Sequence, residues 1–151
     1  MCGLAGIISL SSSNFDIKDT LKLMSEEIVR RGPDSFGYYF DRKKSNNISI
    51  AHRRLSIIDL SEKGSQPIES KNGRYVMAFN GEIYNHKWIK RKIDNIKSVS
   101  WYGTSDTEIL MESIQTFGLQ ETLKLAVGMF AIALLDKQED KLFLIRDRFG
   151  E

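Results

Sequence analysis

No apolar run in this sequence is longer than Met129–Leu135, far short of the ~20 residues a membrane helix needs. Its hydrophobic residues must therefore be buried piecemeal, as short strands and amphipathic helices joined by polar turns. The chain has 151 residues, close to the ~150 typical of one domain and enough for a single core. Its 41% hydrophobic and 28% charged residues describe a globular protein rather than a disordered one. A formal net charge of +2 is too near balance for a dedicated nucleic-acid binder. One Cys builds neither a disulfide framework nor a Cys-based zinc centre. With only His52 and His86 besides, no metal site is expected. The N-terminal residues lack the basic start and cleavage signature of a secretory signal. The expected location is the cytoplasm, with no membrane partner and a reduced thiol.

Gly3–Leu10 reads as a buried strand, followed by a turn over Ser11–Asn14. Asp16–Arg30 reads as an amphipathic helix with Ile17, Leu21, Met24 and Ile28 on one face. Gly32-Pro33 stops it, because proline disfavours helical geometry in the preceding residue. Ser35–Phe40 and Ile48–Arg53 form a candidate hairpin around the polar segment Asp41–Asn47. Ser61–Gln66 is a polar loop, and the Asn72-Gly73 turn precedes a strand over Arg74–Phe79. Lys87–Ile93 is a weak helix. Ser105 and Glu108 have capping-box spacing, which predicts a helix over Asp106–Phe117 with Leu110, Ile114 and Phe117 inward. A short helix over Leu119–Ala126 follows, then strands over Met129–Leu135 and Lys141–Arg146. This order predicts an α+β fold with antiparallel sheet.

Few residues offer chemistry. A lone Cys is ordinarily a small buried hydrophobe. Cys2, however, becomes the first residue once methionine aminopeptidase removes Met1, which it does when the next residue is small. Its thiol would then stand beside a free α-amine with a pKa of about 7.7–8.0, a base poised near neutral pH. One residue would supply nucleophile and base without a histidine. Asn80-Gly81-Glu82 follows a strand and reads most simply as a turn. Alternatively, the Asn80 side-chain amide and the Gly81 N–H form an oxyanion hole. Arg54 is ordinarily half of a solvated Arg53-Arg54 pair, or else a bidentate grip on a carboxylate. Asp106 is a favourable acid in the first turn of a helix, or a counter-charge for an ammonium group. Arg31-Gly32-Pro33-Asp34 reads by spacing as a helix stop, and His52 and His86 as structural.

In this order the segments resemble the class II, N-terminal-nucleophile glutamine amidotransferase domains, most closely the asparagine synthetase branch. The matching residues are Met1-Cys2-Gly3 with Ala5-Gly6-Ile7, Arg31-Gly32-Pro33-Asp34 with Gly37, Ala51–Ile57, Gln66-Pro67, Phe79–Asn85, Thr104–Glu108, Gly128–Ala131 and Arg146–Gly150. The resemblance implies a four-layer αββα sandwich of the N-terminal-nucleophile hydrolase type. It implies that Cys2 attacks the side-chain amide of glutamine, that Asn80 and Gly81 stabilise the oxyanion, and that a glutamyl thioester is hydrolysed to glutamate. Arg54 would hold the substrate α-carboxylate, with Glu82 and Asp106 near its α-ammonium.

In the family the glutaminase region continues beyond an Asp-Arg-Phe-Gly-like segment, and a synthetase domain using ATP and Mg²⁺ follows. Residues 1–151 are therefore expected to be a glutamine amidotransferase type 2 domain incomplete at its C-terminal end. It would hold no cofactor of its own and would need a synthetase domain in cis or in trans. The strand Lys141–Arg146 would be left with an open edge that lowers stability or invites self-association into a homo-oligomer. The alternatives are a catalytically inactive glutamine-binding module, a gene fragment, and the amidotransferase domain of an asparagine synthetase-like enzyme with another ammonia acceptor.

Overall fold

The computed structural model describes residues 2–9, 16–41, 47–56 and 64–150. The expected turn over Ser11–Asn14, most of the polar segment Asp41–Asn47 and the first half of the Ser61–Gln66 loop lie outside them. Strands β1 (Gly3–Ser9), β2 (Ser35–Phe40) and β3 (Asn47–Arg54) make one antiparallel sheet in the order β1-β3-β2. Strands β4 (Ile68–Glu69), β5 (Tyr75–Ile83), β6 (Gly128–Asp136) and β7 (Lys141–Arg146) make a second, in the order β4-β5-β6-β7. Helix α1 (Ile17–Glu27) packs on β1 and β3. Helix α3 (Asp106–Phe117) packs on β5, flanked by α2 (His86–Asp94) and α4 (Leu119–Leu125). The two sheets face each other, so the layers run α, β, β, α as expected.

Side chains alternate across a strand with a period of two, and β3 and β5 use both faces. On β5, Tyr75, Met77 and Phe79 join Ile89, Ile93, Leu110 and Ile114 in the core beneath the helices. Val76 and Ala78 face the other sheet, where they meet Ile48 and Ile50 of β3. On β3, Arg53 points the opposite way, and its Nε donates to Ser25 Oγ of α1 at 2.8 Å.

Helix α1 ends earlier than the apolar pattern predicts. Asp16 caps its start, accepting from the Lys18 and Asp19 N–H groups. A 3-10 turn over Val29–Arg31 takes over after Ile28. Its buried positions are Leu21 and Ser25, while Met24 is exposed. Ser25 displaces Met24 from the inward face because it is the residue Arg53 reaches for. Helix α3 keeps its expected bounds. Ser105 Oγ accepts from the Glu108 N–H, but the Glu108 carboxylate closes the preceding loop through the Tyr102 and Gly103 N–H groups instead of returning to the cap. Among the described residues no helix is long and apolar enough to cross a membrane, and β7 pairs with β6 alone.

Leu134→Ala, at a fully buried position of β6, is expected to cost about 2–5 kcal/mol. Leu144→Ala, on β7 and 75% exposed, is expected to change stability by less than about 0.5 kcal/mol. Urea midpoints for the two variants check this contrast.

Candidate functional site

The even-numbered face of β3 runs Ile48, Ile50, His52, Arg54, and that of β5 runs Val76, Ala78, Asn80, Glu82. The layer between the sheets therefore turns from apolar to polar along the strands. Cys2 enters this polar end because β1 pairs with β3 in the register Gly3↔Arg53, which sets Cys2 beside Arg54 and Leu55. The Leu55 N–H donates to the Cys2 Sγ at 3.4 Å, and Arg31 Nε donates to the Cys2 carbonyl at 3.2 Å. The Arg31–Asp34 segment does more than end a helix: Asp34 accepts from the Ser56 N–H at 2.7 Å and steadies the chain just beyond Leu55. These roles depend on long-range contacts with Cys2 and Ser56, which local spacing does not carry.

Cys2, Arg54, Asn80, Gly81, Glu82 and Asp106 line one cavity of about 170 Å³. All six candidate residues are brought together. Arg54 is a buried wall of this cavity, not half of a solvated pair. Asn80-Gly81-Glu82 is not a turn either. It lies inside β5, which pairs with β6 as far as Ile83↔Gly128. Glycine is required in this close pairing: a Cβ at Gly81, where φ is +155°, would lie 2.2 Å from the Met129 carbonyl oxygen.

Hydrogen-bonding directions alternate along an antiparallel strand. The Phe79 N–H donates to Gln66 Oε1 at 2.6 Å, and the Ile83 N–H to Asp106 Oδ2 at 3.0 Å. By alternation the Gly81 N–H leaves β5 on that same edge, between them and toward the cavity. Asn80 Oδ1 is buried with no hydrogen-bond partner among the described residues, the kind of unsatisfied polar group that functional sites retain. Charge is divided, with Arg54 contributing a cation and Glu82 and Asp106 two carboxylates. Among the described residues no three His, Cys, Asp or Glu side chains converge as metal ligands do.

The sequence over residues 1–151 matches the family described as Glutamine amidotransferase domain. The chain belongs to this family. It is 41% identical to the glutamine-hydrolysing asparagine synthetase 2 of Bacillus subtilis (strain 168) over 99% of its own length and 19% of that protein's. It is 33% identical to the glutamine-hydrolysing asparagine synthetase B of Escherichia coli (strain K12) over 99% of its own length and 26% of that protein's. The chain thus spans about a fifth to a quarter of these curated relatives. Among solved structures, the glutamine phosphoribosylpyrophosphate amidotransferase of B. subtilis, complexed with ADP and GMP, shares the fold. That likeness has a TM-score of 0.50 at 23% identity, covering 62% of this chain and 22% of the other.

At the start of α2, His86 Nδ1 lies 2.8 Å from the Ile83 carbonyl oxygen. His52 is fully buried. Burial pushes its pKa down to about 4, and nearby Arg54 adds to the shift while the hydrogen bond to Phe79 opposes it. Folded His52 therefore stays neutral to about pH 4, whereas the unfolded residue takes up a proton below about pH 6.5. In that window the unfolded state binds more protons, so stability falls as the pH is lowered, by at most about 1.4 kcal/mol per pH unit from this residue. Urea titrations at pH 7 and pH 5 should show this loss in the parent and a smaller one in His52→Gln.

Proposed function

We propose that the domain hydrolyses the side-chain amide of glutamine to glutamate and ammonia. The observation that carries this reading is the convergence of a thiol near the chain start, two prospective oxyanion donors and a bipolar charge pair on one small cavity. With Met1 removed, the Cys2 α-amine takes the thiol proton and the thiolate attacks the amide carbon. The negative charge that develops on the amide oxygen is met by the Asn80 side-chain NH₂ and the Gly81 N–H. The ammonium returns its proton to the leaving nitrogen, ammonia departs and a glutamyl thioester remains. Water, deprotonated by the same amine, attacks this thioester, and glutamate leaves as the proton returns to sulfur. Arg54 grips the α-carboxylate through charge-assisted hydrogen bonds, while Glu82 and Asp106 attract the α-ammonium. Holding both ends sets which carbonyl reaches sulfur. Asparagine is one methylene shorter, a difference worth about 1–3 kcal/mol.

The ammonia would pass to a synthetase domain in cis or in trans, for asparagine synthesis of the kind named in the relatives. ATP and Mg²⁺ would belong to that domain and none of these steps draws on them. A cytoplasmic location suits such biosynthesis, and the open edge of β7 would promote self-association where no other segment covers it.

Cys2→Ala should reduce glutamate release to background, and an N-terminal extension that blocks the amine should do the same. Mass spectrometry of the intact protein should show Met1 absent from active preparations. Parent-level activity in Cys2→Ala would defeat the mechanism. Arg54→Gln should raise KM for glutamine roughly 10- to 100-fold, the value of a charged hydrogen-bonding partner. Asn80→Ala should instead lower kcat by about 10²- to 10³-fold. Steady-state kinetics with glutamine separates the two effects.

A further inference from the structure

Strand β4 covers only Met77 and Val76 of β5. Beyond it, among the described residues, no strand pairs with that edge of β5. The next peptide groups along the edge belong to Phe79, immediately before Asn80-Gly81, and two side chains take them. Gln66 Oε1 accepts from the Phe79 N–H at 2.6 Å. His52 Nε2 lies 3.1 Å from the Phe79 carbonyl oxygen. A carbonyl oxygen can only accept, so Nε2 carries the proton and neutral His52 donates. That carbonyl belongs to the Phe79–Asn80 peptide, whose plane sets the direction in which Asn80 leaves the strand.

One arm of this clamp starts in the other sheet and the second, just before β4, rests on it. His52 sits on the central strand β3, bracketed by Leu4 of β1 and Gly37 of β2. Gln66 is packed against the same Gly37, where a Cβ would lie 2.2 Å from the Gln66 carbonyl oxygen. The sheet that carries Cys2 and Arg54 thereby grips the strand that carries Asn80 and Gly81.

The geometry points to His52 and Gln66 as positioning residues for the oxyanion hole, acting through the backbone of Phe79. The inference rests on the proposed hydrolysis of glutamine. It assigns the two side chains an effect on the reacting carbonyl and none on the amino-acid end of the substrate, which Arg54, Glu82 and Asp106 hold.

The test uses the intact protein with Gln66→Leu, Gln66→Glu, His52→Leu and His52→Gln. The Glu variant keeps the acceptor oxygen, and the Gln variant keeps a donor at similar reach. Each Leu variant should lower kcat for glutamine hydrolysis by about 10- to 100-fold, the size expected when a reacting group is misplaced by a fraction of an ångström to an ångström, with KM within about twofold. The Glu and Gln variants should recover most of kcat. Affinity for the aldehyde analogue of glutamine, whose adduct with Cys2 puts its oxygen in the hole, should fall in step with kcat, while affinity for glutamate stays constant. Should His52→Leu fail to fold, the Gln66 pair and Gly37→Ala, which displaces Gln66, carry the same comparison. Folded clamp variants with parent kcat, or with kcat and KM changed alike and no rescue, would overturn the inference. If the parent released no glutamate, or Cys2→Ala released it normally, the underlying reading would fail instead.

Discussion

The alternation of side chains on β3 and β5, facing each other across one layer, is the constraint on which the rest of the molecule depends. Each strand presents apolar residues to its partner sheet at one end and polar residues at the other. Ile48 and Ile50 meet Val76 and Ala78 in an apolar core. Four residues beyond Ile50 and two beyond Ala78, the same geometry delivers Arg54 and Asn80 to the cavity. A one-residue slip of either strand would turn every one of these side chains to the opposite face. The core and the site are thus held in register by the same interaction, and the apolar end anchors the polar end.

Much of this was readable from local pattern. Helix α3 and strand β7 have the bounds predicted from the Ser105 cap and from the apolar run before Arg146. Where prediction failed, a distant partner had overruled a local signal. Asn-Gly is a strong turn dipeptide, yet pairing with β6 keeps Asn80-Gly81 in a strand. Met24 has the spacing of a buried residue, yet Ser25 is taken inward by Arg53 from another element. Alternation also separates Arg53 from Arg54, which look alike as a dipeptide and point to opposite sides of β3. The residue identities of the site were legible because linked motifs carried them. Its supports were not: the partners of His52 and Gln66 are backbone groups, which leave no trace in side-chain spacing.

Several residues of the matching motifs work as fasteners. Asn85 donates to the Leu125 carbonyl and accepts from the Val127 N–H, tying the end of α4 to the start of β6. Asp147 accepts from the Phe130, Phe149 and Gly150 N–H groups, closing the turn after β7 onto β6. Arg148 donates to the carbonyls of Leu123, Lys124 and Ala126 at the end of α4. These bonds satisfy backbone groups that a helix end or a turn leaves without partners. They also hold β6 in place behind Gly81, where the fit leaves no room for a Cβ.

The shortness of β4 is what opens the site. Extending its register would set Gln66 opposite Phe79, but there the Gln66 side chain, not its backbone, takes the Phe79 N–H. The strand stops at Ile68, and the edge of β5 beyond it must find other partners because buried peptide groups are costly to leave unpaired. Side chains supply them at Phe79 and Ile83, from Gln66, His52 and Asp106. The alternation that gives those two residues to side chains leaves the Gly81 N–H directed at the cavity between them. A longer β4 would strengthen the sheet and consume that donor in an ordinary strand pair. An interrupted edge, held by polar side chains on either side of one glycine, keeps the strand rigid and the donor directed at the cavity.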